Sequence, residues 1–142
     1  MACSQGSKGE RCEPVGVWDR AFYEGEHGQP ATDQFRGVVE ALAKLTKSQG
    51  WDLSYILNKH YVAFKLGHRV VFIVNWTGPN TWNLELKLPK AKAQASPYQD
   101  WEFQRYDDGW KSAIFRPRKS GSLSVAELEP LLVAAHKHVA GI

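Results

Sequence analysis

The chain has 142 residues, of which 43% are hydrophobic and 23% are charged, and its net charge is +3. This length and apolar content predict one domain with enough apolar material for a core without disulfides or a bound metal. The charge is mildly basic, so it favours an anionic partner only weakly and does not by itself indicate nucleic-acid binding.

The first segment, residues 1–16, is polar and rich in glycine, and we predict a disordered tail ahead of a single domain at 17–142. Both cysteines, Cys3 and Cys12, lie in this segment and form neither a disulfide framework nor a zinc motif. The N-terminus has no apolar signal core, and no run approaches the roughly 20 apolar residues of a membrane span. We therefore expect a cytoplasmic protein with no membrane partner.

The first predicted helix covers 33–48, after a loop at 24–30 that is indicated by glycine and proline. Its apolar residues recur at helical spacing and form one stripe, which consists of Phe35, Val38, Val39, Leu42 and Leu45. Thr32 or Asp33 is the predicted N-terminal cap, and Gly50 is the predicted end.

Five β-strands are predicted after this helix. Their boundaries are 60–66, 69–76, 81–88, 101–106 and 110–116. The third strand alternates polar and apolar residues throughout, which is typical of a strand with one buried face. Its apolar residues are Trp82, Leu84, Leu86 and Leu88. The last two strands flank Asp107-Asp108-Gly109, a sequence that favours a tight hairpin.

The last predicted helix covers 124–139. It begins with the capping-box pattern from Ser124 to Glu127, and Pro130 marks either the real start of the helix or a bend. The order of elements predicts an α+β fold: one two-layer domain with a mostly antiparallel five-stranded sheet, and helices at 33–48 and 124–139 packed on one face. The predicted core joins both helices to strand residues Val62, Phe64, Val70, Phe72, Val74, Leu84 and Leu86.

Short hydrophobic strings in this region resemble those of a known domain. Lys59-His60-Tyr61-Val62-Ala63-Phe64-Lys65, Val71-Phe72-Ile73 and Leu84-Glu85-Leu86-Lys87-Leu88 resemble a small uncharacterised bacterial domain that is often labelled "predicted transport protein" and can accompany nuclease-type modules. Leu86-Lys87-Leu88-Pro89, with Trp101 or Trp110, is also similar to the MmcQ/YjbR family. The resemblances imply a bacterial protein and supply no catalytic residues. The DNA-processing context of the first one slightly favours nucleic-acid binding.

Motifs for catalysis or metal binding are incomplete in this sequence. Glu85-Leu86-Lys87 matches half of a PD-(D/E)xK nuclease core, but the preceding strand lacks the acidic residue that would complete the magnesium site. The histidines favour structural or surface roles, since His136 and His138 are two residues apart on a helix and face apart. We therefore predict no catalytic residues, no metal and no cofactor, and the sequence leans against an enzyme.

Cations and aromatic residues interleave between residues 85 and 120. The cations are Lys87, Lys90, Lys92, Arg105, Lys111, Arg116, Arg118 and Lys119. Trp101, Tyr106 and Trp110 lie among them, and aromatic rings with nearby cations are typical of surfaces that bind single-stranded nucleic acids. The predicted ligand-binding residues are Lys65, Arg105, Trp110, Lys111 and Arg116.

These observations predict a non-enzymatic binding or interaction domain that engages nucleic acid or a protein through a basic and aromatic sheet face. The alternative is a small-molecule-binding accessory domain with an aromatic pocket between sheet and helices. An exposed strand edge or aromatic patch would also permit a homodimer, and the sequence leaves the oligomeric state open.

Overall fold

The computed structural model describes residues 20–93 and 98–142, and these ranges contain a six-stranded antiparallel sheet and three α-helices. The helices are α1 (Arg20–His27), α2 (Gln29–Gln49) and α3 (Glu129–Ala140). The strands are β1 (Ser54–Leu57), β2 (Tyr61–Leu66), β3 (Arg69–Trp76), β4 (Trp82–Lys87), β5 (Trp101–Asp107) and β6 (Ser112–Pro117). The predicted α+β class and antiparallel sheet are confirmed. The predicted tail at 1–16 lies outside the described residues.

The strands lie in the order β1-β2-β3-β4-β6-β5, and every neighbouring pair is antiparallel. The first four strands follow one another in space as they do in sequence. The chain after β4 then passes to the far edge of the sheet, forms β5 there, and returns as β6 between β4 and β5. β4 is therefore hydrogen-bonded on both sides and lies inside the sheet.

The prediction of five strands is wrong because it misses β1. This strand has four residues, Ser54-Tyr55-Ile56-Leu57, of which only Leu57 is buried. It pairs with β2 at the edge of the sheet, where Tyr55 faces Phe64 and stacks on its ring at 4.9 Å between centroids. A segment this short carries too little alternation to indicate a strand, and its pairing with β2 defines it.

The predicted loop at 24–30 is also wrong, since α1 continues through Gly25 to His27 and α2 begins directly afterwards. Tyr23 stabilises α1, because its ring is fully buried in the core and its hydroxyl donates to the carbonyl of Asn58. Pro30 occupies the first turn of α2, where its missing N–H costs no hydrogen bond. The predicted end at Gly50 is confirmed, with left-handed φ of 72°.

Two carboxylates hold the chain ahead of α3, instead of the predicted capping box. The Ser124 N–H donates to Oδ2 of Asp100 at 2.6 Å, and Glu127 accepts hydrogen bonds from the N–H groups of Gln99 at 3.1 Å and Asp100 at 2.9 Å. Residues 125–128 form a 3₁₀ turn, so the predicted helix start at 124 is wrong. α3 begins at Glu129 with Pro130 in its first turn, which confirms Pro130 as a marker of the helix start.

The predicted alternation of β4 is confirmed. Trp82, Leu84 and Leu86 are buried, and the residues between them are half-exposed. In register, Leu84 lies between Val74 of β3 and Phe115 of β6, both fully buried. This apolar row is the centre of the core.

Helix side chains reach the same core. Phe35 of α2 stacks on Trp76 at 4.5 Å and meets Trp82 edge-on at 5.9 Å between ring centroids. His136 of α3 stacks on Trp51 at 4.6 Å, and Trp51 in turn lies 6.5 Å from Phe72. Aromatic rings therefore make several of the contacts between helices and sheet.

A β-bulge in β3 corrects one predicted core residue. Phe64 faces Phe72 while Lys65 faces Val70, so Val71 is an extra residue that has no partner on β2. Val71 is fully buried, whereas Val70, a predicted core residue, is half-exposed. The bulge therefore changes which valine reaches the core and frees Val70 to line a surface groove.

We expect Asp100→Asn to lower the free energy of unfolding at neutral pH. The hydrogen bond from the Ser124 N–H, together with Lys119 at 3.2 Å, holds the pKa of Asp100 below its usual value. A depressed folded-state pKa contributes stability above the unfolded pKa of about 3.9 and loses it as the pH falls further. Urea unfolding at several pH values should therefore show a difference between wild type and variant that shrinks below about pH 4.

Asp108→Asn is the control, because the ion pair that Asp108 forms with Lys90 at 3.5 Å is exposed on both sides. A difference between wild type and Asp100→Asn that stays constant down to low pH would contradict the assignment.

Candidate functional site

The side chains that alternate with the buried ones form the second face of the central strands, which we call the Glu85 face. Three of its residues lie in one row, since Ile73 of β3 faces Glu85 and Glu85 faces Ile114 of β6. The other members are Asn75, Asn83, Lys87, Ser112 and Arg116. Ile114 is almost fully buried, whereas Glu85 is half-exposed. The face is therefore mixed, with apolar side chains on both sides of a carboxylate.

A groove of about 680 Å³ lies on the Glu85 face. Ile73, Asn75, Glu85 and Lys87 line it on the sheet side. The other lining residues come from β2 and β3 (Tyr61, Arg69, Val70), the β5–β6 hairpin (Gly109, Trp110, Lys111, Ser112) and the end of α3 (His138, Val139). We call this space the Trp110 groove.

The hairpin that carries Trp110 has a four-residue loop, because Asp107 pairs with Ser112 across the strands. The predicted strand at 110–116 therefore begins two residues too early, and Trp110 lies in the loop. Oδ1 of Asp107 accepts a hydrogen bond from the Trp110 N–H at 3.0 Å, which holds the pKa of Asp107 below its usual value. Lys111 closes the loop with a left-handed φ of 56°. This geometry leaves the Trp110 side chain 68% exposed.

Lys87 of β4 contacts Trp110 and connects the hairpin loop to the sheet. Its ammonium group donates to the Trp110 carbonyl and lies 5.2 Å from the centroid of the indole ring, within range of a cation–π interaction. The Ser112 hydroxyl donates to the same carbonyl at 3.2 Å. An exposed aromatic ring is thus held in place beside the groove by neighbouring strands.

Among the described residues that line the Trp110 groove, Glu85 is the only carboxylate. Within residues 20–93 and 98–142, its side chain has no hydrogen-bond or ion-pair partner. Burial raises the pKa of Glu85, and the nearby Asp107 carboxylate raises it further, while Arg105 and Lys87 oppose the shift. The groove therefore contains an acceptor whose hydrogen-bonding capacity is unused.

The five predicted site residues lie in four places. Trp110 and Lys111 line the Trp110 groove. Arg105 bonds to Asp107 at 3.3 Å, and Lys65 is half-exposed on β2, outside the groove. Arg116 pairs with Glu102 at 2.9 Å and lines a second groove of about 750 Å³. The structure therefore brings two of the five together.

Several cations of the basic and aromatic region are occupied by internal partners. Lys119 pairs with Asp100, and Arg118 donates to the carbonyls of Tyr98 and Trp101. In contrast, neither Arg69 nor Lys111 pairs with a carboxylate in the described part of the chain. These two cations are available to a ligand of the Trp110 groove.

Two of the three aromatic residues that the sequence analysis singled out in that region stabilise the fold. Trp101 is fully buried and donates its indole N–H to the Ser124 carbonyl at 2.8 Å, and the Tyr106 hydroxyl donates to the Leu88 carbonyl at 2.7 Å. Sequence reasoning missed Tyr61, Arg69 and Glu85 as site residues. The alternation of β4 is a signal for Glu85, but the position of Arg69 depends on sheet register, which no local pattern indicates.

Comparisons with known proteins find no match: no family model, no curated protein and no solved structure is similar to this chain. Both resemblances therefore stay predictions. In the part of the chain that the structure describes, no three His, Cys, Asp or Glu side chains are grouped to hold a metal ion. No described helix combines the length and apolar character that crossing a bilayer requires.

We expect Glu85→Gln to raise the stability of the fold at neutral pH. Because the folded-state pKa of Glu85 is raised, the ionised carboxylate is disfavoured in the folded protein, and wild type regains this loss as the pH falls through the raised value. Thermal melts across a pH series should show an advantage of Glu85→Gln that shrinks toward about pH 4.

Glu102→Gln is a control of opposite sign. The Arg116 hydrogen bond lowers the pKa of Glu102, so this variant should lose stability at neutral pH and approach wild type in acid. Equal pH profiles for the two variants would contradict the interpretation of Glu85.

Proposed function

We propose that this chain is a non-enzymatic binding domain that holds single-stranded nucleic acid on the Glu85 face. We further propose that α2 and α3 both cover the opposite face of the sheet. Phe35 contacts Trp76 and Trp82, and the Trp51–His136 pair contacts Phe72, all side chains that alternate with the Glu85 face. Among the described residues, the Glu85 face is then open to a partner except where His138 and Val139 at the end of α3 line the groove.

The chemistry of the Trp110 groove carries this proposal. It combines an exposed aromatic ring at Trp110 with cations at Arg69 and Lys111 and an acceptor at Glu85, none of which has an ion-pair partner within the described ranges. A nucleotide has the complementary groups, because its base stacks on aromatic rings, its phosphate pairs with cations, and its base edge donates hydrogen bonds.

The charge of the groove favours an anionic ligand. Arg69, Lys87 and Lys111 line it together with one carboxylate, Glu85. Lys87 lies over the Trp110 ring, so its charge acts where a stacked base would be placed. A protein segment would need acidic side chains beside a flat group to satisfy the same surface, which is why nucleic acid is favoured.

The second groove extends this surface. It is lined by Asn83, Arg116, Arg118 and Lys119, and Asn83 is two residues from Glu85 on the same strand face. Two residues of strand correspond to about 7 Å, so the grooves adjoin along β4. Arg116 and Lys119 are paired there with Glu102 and Asp100, and Arg118 donates to backbone carbonyls, so an extended strand that leaves the Trp110 groove in this direction would share these cations with their internal partners.

Small-molecule binding is the second candidate, supported by the size of the Trp110 groove. Its volume of about 680 Å³ is within the range of ligand pockets. The cavity between α2 and the sheet, beside Phe35 and Tyr55, measures about 20 Å³, which is too small for a ligand. An aromatic small molecule would therefore occupy the Trp110 groove and not a pocket between the layers.

We expect wild type to bind a labelled single-stranded oligonucleotide of about ten nucleotides, with affinity that falls steeply as salt rises. Trp110→Ala should weaken binding by about fivefold to a hundredfold, because one stacked base contributes about 1–3 kcal/mol. Lys111→Gln should weaken binding less and should reduce the salt slope by about one. Fluorescence anisotropy at two or more salt concentrations measures all three effects.

Lys44→Gln is the matched control, since it removes the same charge from an exposed position on α2. Equal losses in Lys44→Gln and Lys111→Gln would contradict the placement of the site. If no oligonucleotide binds at low salt, nucleic acid is excluded. A salt-independent response to an aromatic small molecule that Trp110→Ala abolishes would then support the second candidate.

A further inference from the structure

We infer that the Trp110 groove selects guanine among the bases of a single strand, through the Glu85 carboxylate. This inference rests on the proposed function and adds a specificity to it. It is based on Glu85, a carboxylate among cations, because a surface that binds only phosphate does not need a carboxylate.

The position of Glu85 makes its oxygen atoms available to a ligand. Ile73 and Ile114 flank it in register on the two neighbouring strands, so apolar side chains restrict water on both sides. No donor in the described ranges bonds to the carboxylate, although Lys87 lies on the same strand face. A half-buried acceptor without a donor is unfavourable, and a ligand that supplies donors removes this penalty.

Charge decides which part of a nucleotide faces Glu85. A phosphate beside the carboxylate would be repelled, while Arg69 and Lys111 elsewhere on the groove lining attract it. The base therefore faces Glu85, and the Trp110 ring is the surface on which it stacks.

The hydrogen-bonding pattern then separates the four bases. An ionised carboxylate only accepts, and its two oxygens are matched by two adjacent donors. Guanine presents such a pair, N1–H and N2–H₂, on its Watson–Crick edge. Adenine, cytosine and thymine each place an acceptor next to their donor, and that acceptor would face a carboxylate oxygen.

Lys87 adds a second match to guanine. It follows Glu85 by two residues on the same face, and its ammonium has three donors, one of which is used by the Trp110 carbonyl. The guanine O6 acceptor is adjacent to N1–H. Lys87 and Glu85 therefore place a donor beside an acceptor on β4, which complements the adjacent O6 acceptor and N1–H donor of guanine.

The test compares oligonucleotides of about ten nucleotides that differ at one central base in a thymine background. The central base is guanine, inosine, adenine, cytosine or thymine, and inosine is the matched control because it lacks only the N2 amino group. In anisotropy measurements, wild type should bind the guanine oligonucleotide about fivefold or more tightly relative to the thymine oligonucleotide, and its affinity for the inosine oligonucleotide should lie between the two. In Glu85→Gln the guanine preference should be lost, since the amide replaces one acceptor by a donor.

The outcomes separate this inference from the proposed function. Binding that depends on Trp110 but shows no base preference, or a guanine preference that Glu85→Gln retains, overturns the role of Glu85 and leaves the proposed function standing. No binding of any oligonucleotide overturns both. Thermal melts of Glu85→Gln, expected to be at least as stable as wild type, exclude unfolding as the cause of a lost preference.

Discussion

The period of two in β4 is the constraint on which the rest of the structure depends. β4 is paired on both sides, by β3 and by β6, so its register is shared by three strands at the centre of the sheet. Leu84 lies in the buried row and Glu85, its neighbour, lies in the groove. A shift of one residue would place Glu85 in the core and expose Leu84. Core and candidate site are thus two results of one alternation.

Carboxylates organise the parts of the chain that the sheet does not. Asp100 and Glu127 bind backbone N–H groups where β5 begins and where the chain approaches α3. Asp107 does the same for the hairpin loop. In each case an acidic side chain accepts hydrogen bonds from backbone N–H groups that have no partner in a β-ladder, and these bonds stabilise irregular backbone. Much of the acidic content near residues 100–127 therefore stabilises the backbone, and these carboxylates keep their negative charge while they do so.

Local pattern predicted the fold better than it predicted the site. Alternation in β4, helical spacing in α2 and the glycine at its end all depend on neighbours in sequence, and these predictions were confirmed. β1 and α1 depend on partners far away, such as Phe64 for Tyr55 and the Asn58 carbonyl for Tyr23, so no local pattern indicates them. The predicted capping box failed for the same reason, because Asp100 takes the Ser124 N–H.

The candidate site shows the same difference between features that depend on sequence neighbours and features that depend on distant partners. Trp110 and Lys111 were predicted from composition and do line the groove, while Arg105 and Arg116 pair with acidic neighbours that were visible in the sequence but not as partners. Tyr61 and Arg69 reach the groove through the register of β2 and β3. Register is a property of the whole sheet, and a single bulge at Val71 changes it. The types of residue in the site could thus be predicted from the sequence, whereas the particular residues that line the groove could not.

The hydrogen bonds that hold position 110 have a consequence for how the groove can change. Asp107 accepts from its N–H, and Lys87 and Ser112 donate to its carbonyl, so all three hydrogen bonds are made to the backbone, while the Lys87 ammonium also contacts the indole ring. The loop conformation consequently does not require an indole at this position. Other side chains can be presented from the same scaffold without refolding the hairpin, so ligand preference can diverge among descendants, or be redesigned, by exchange of one residue.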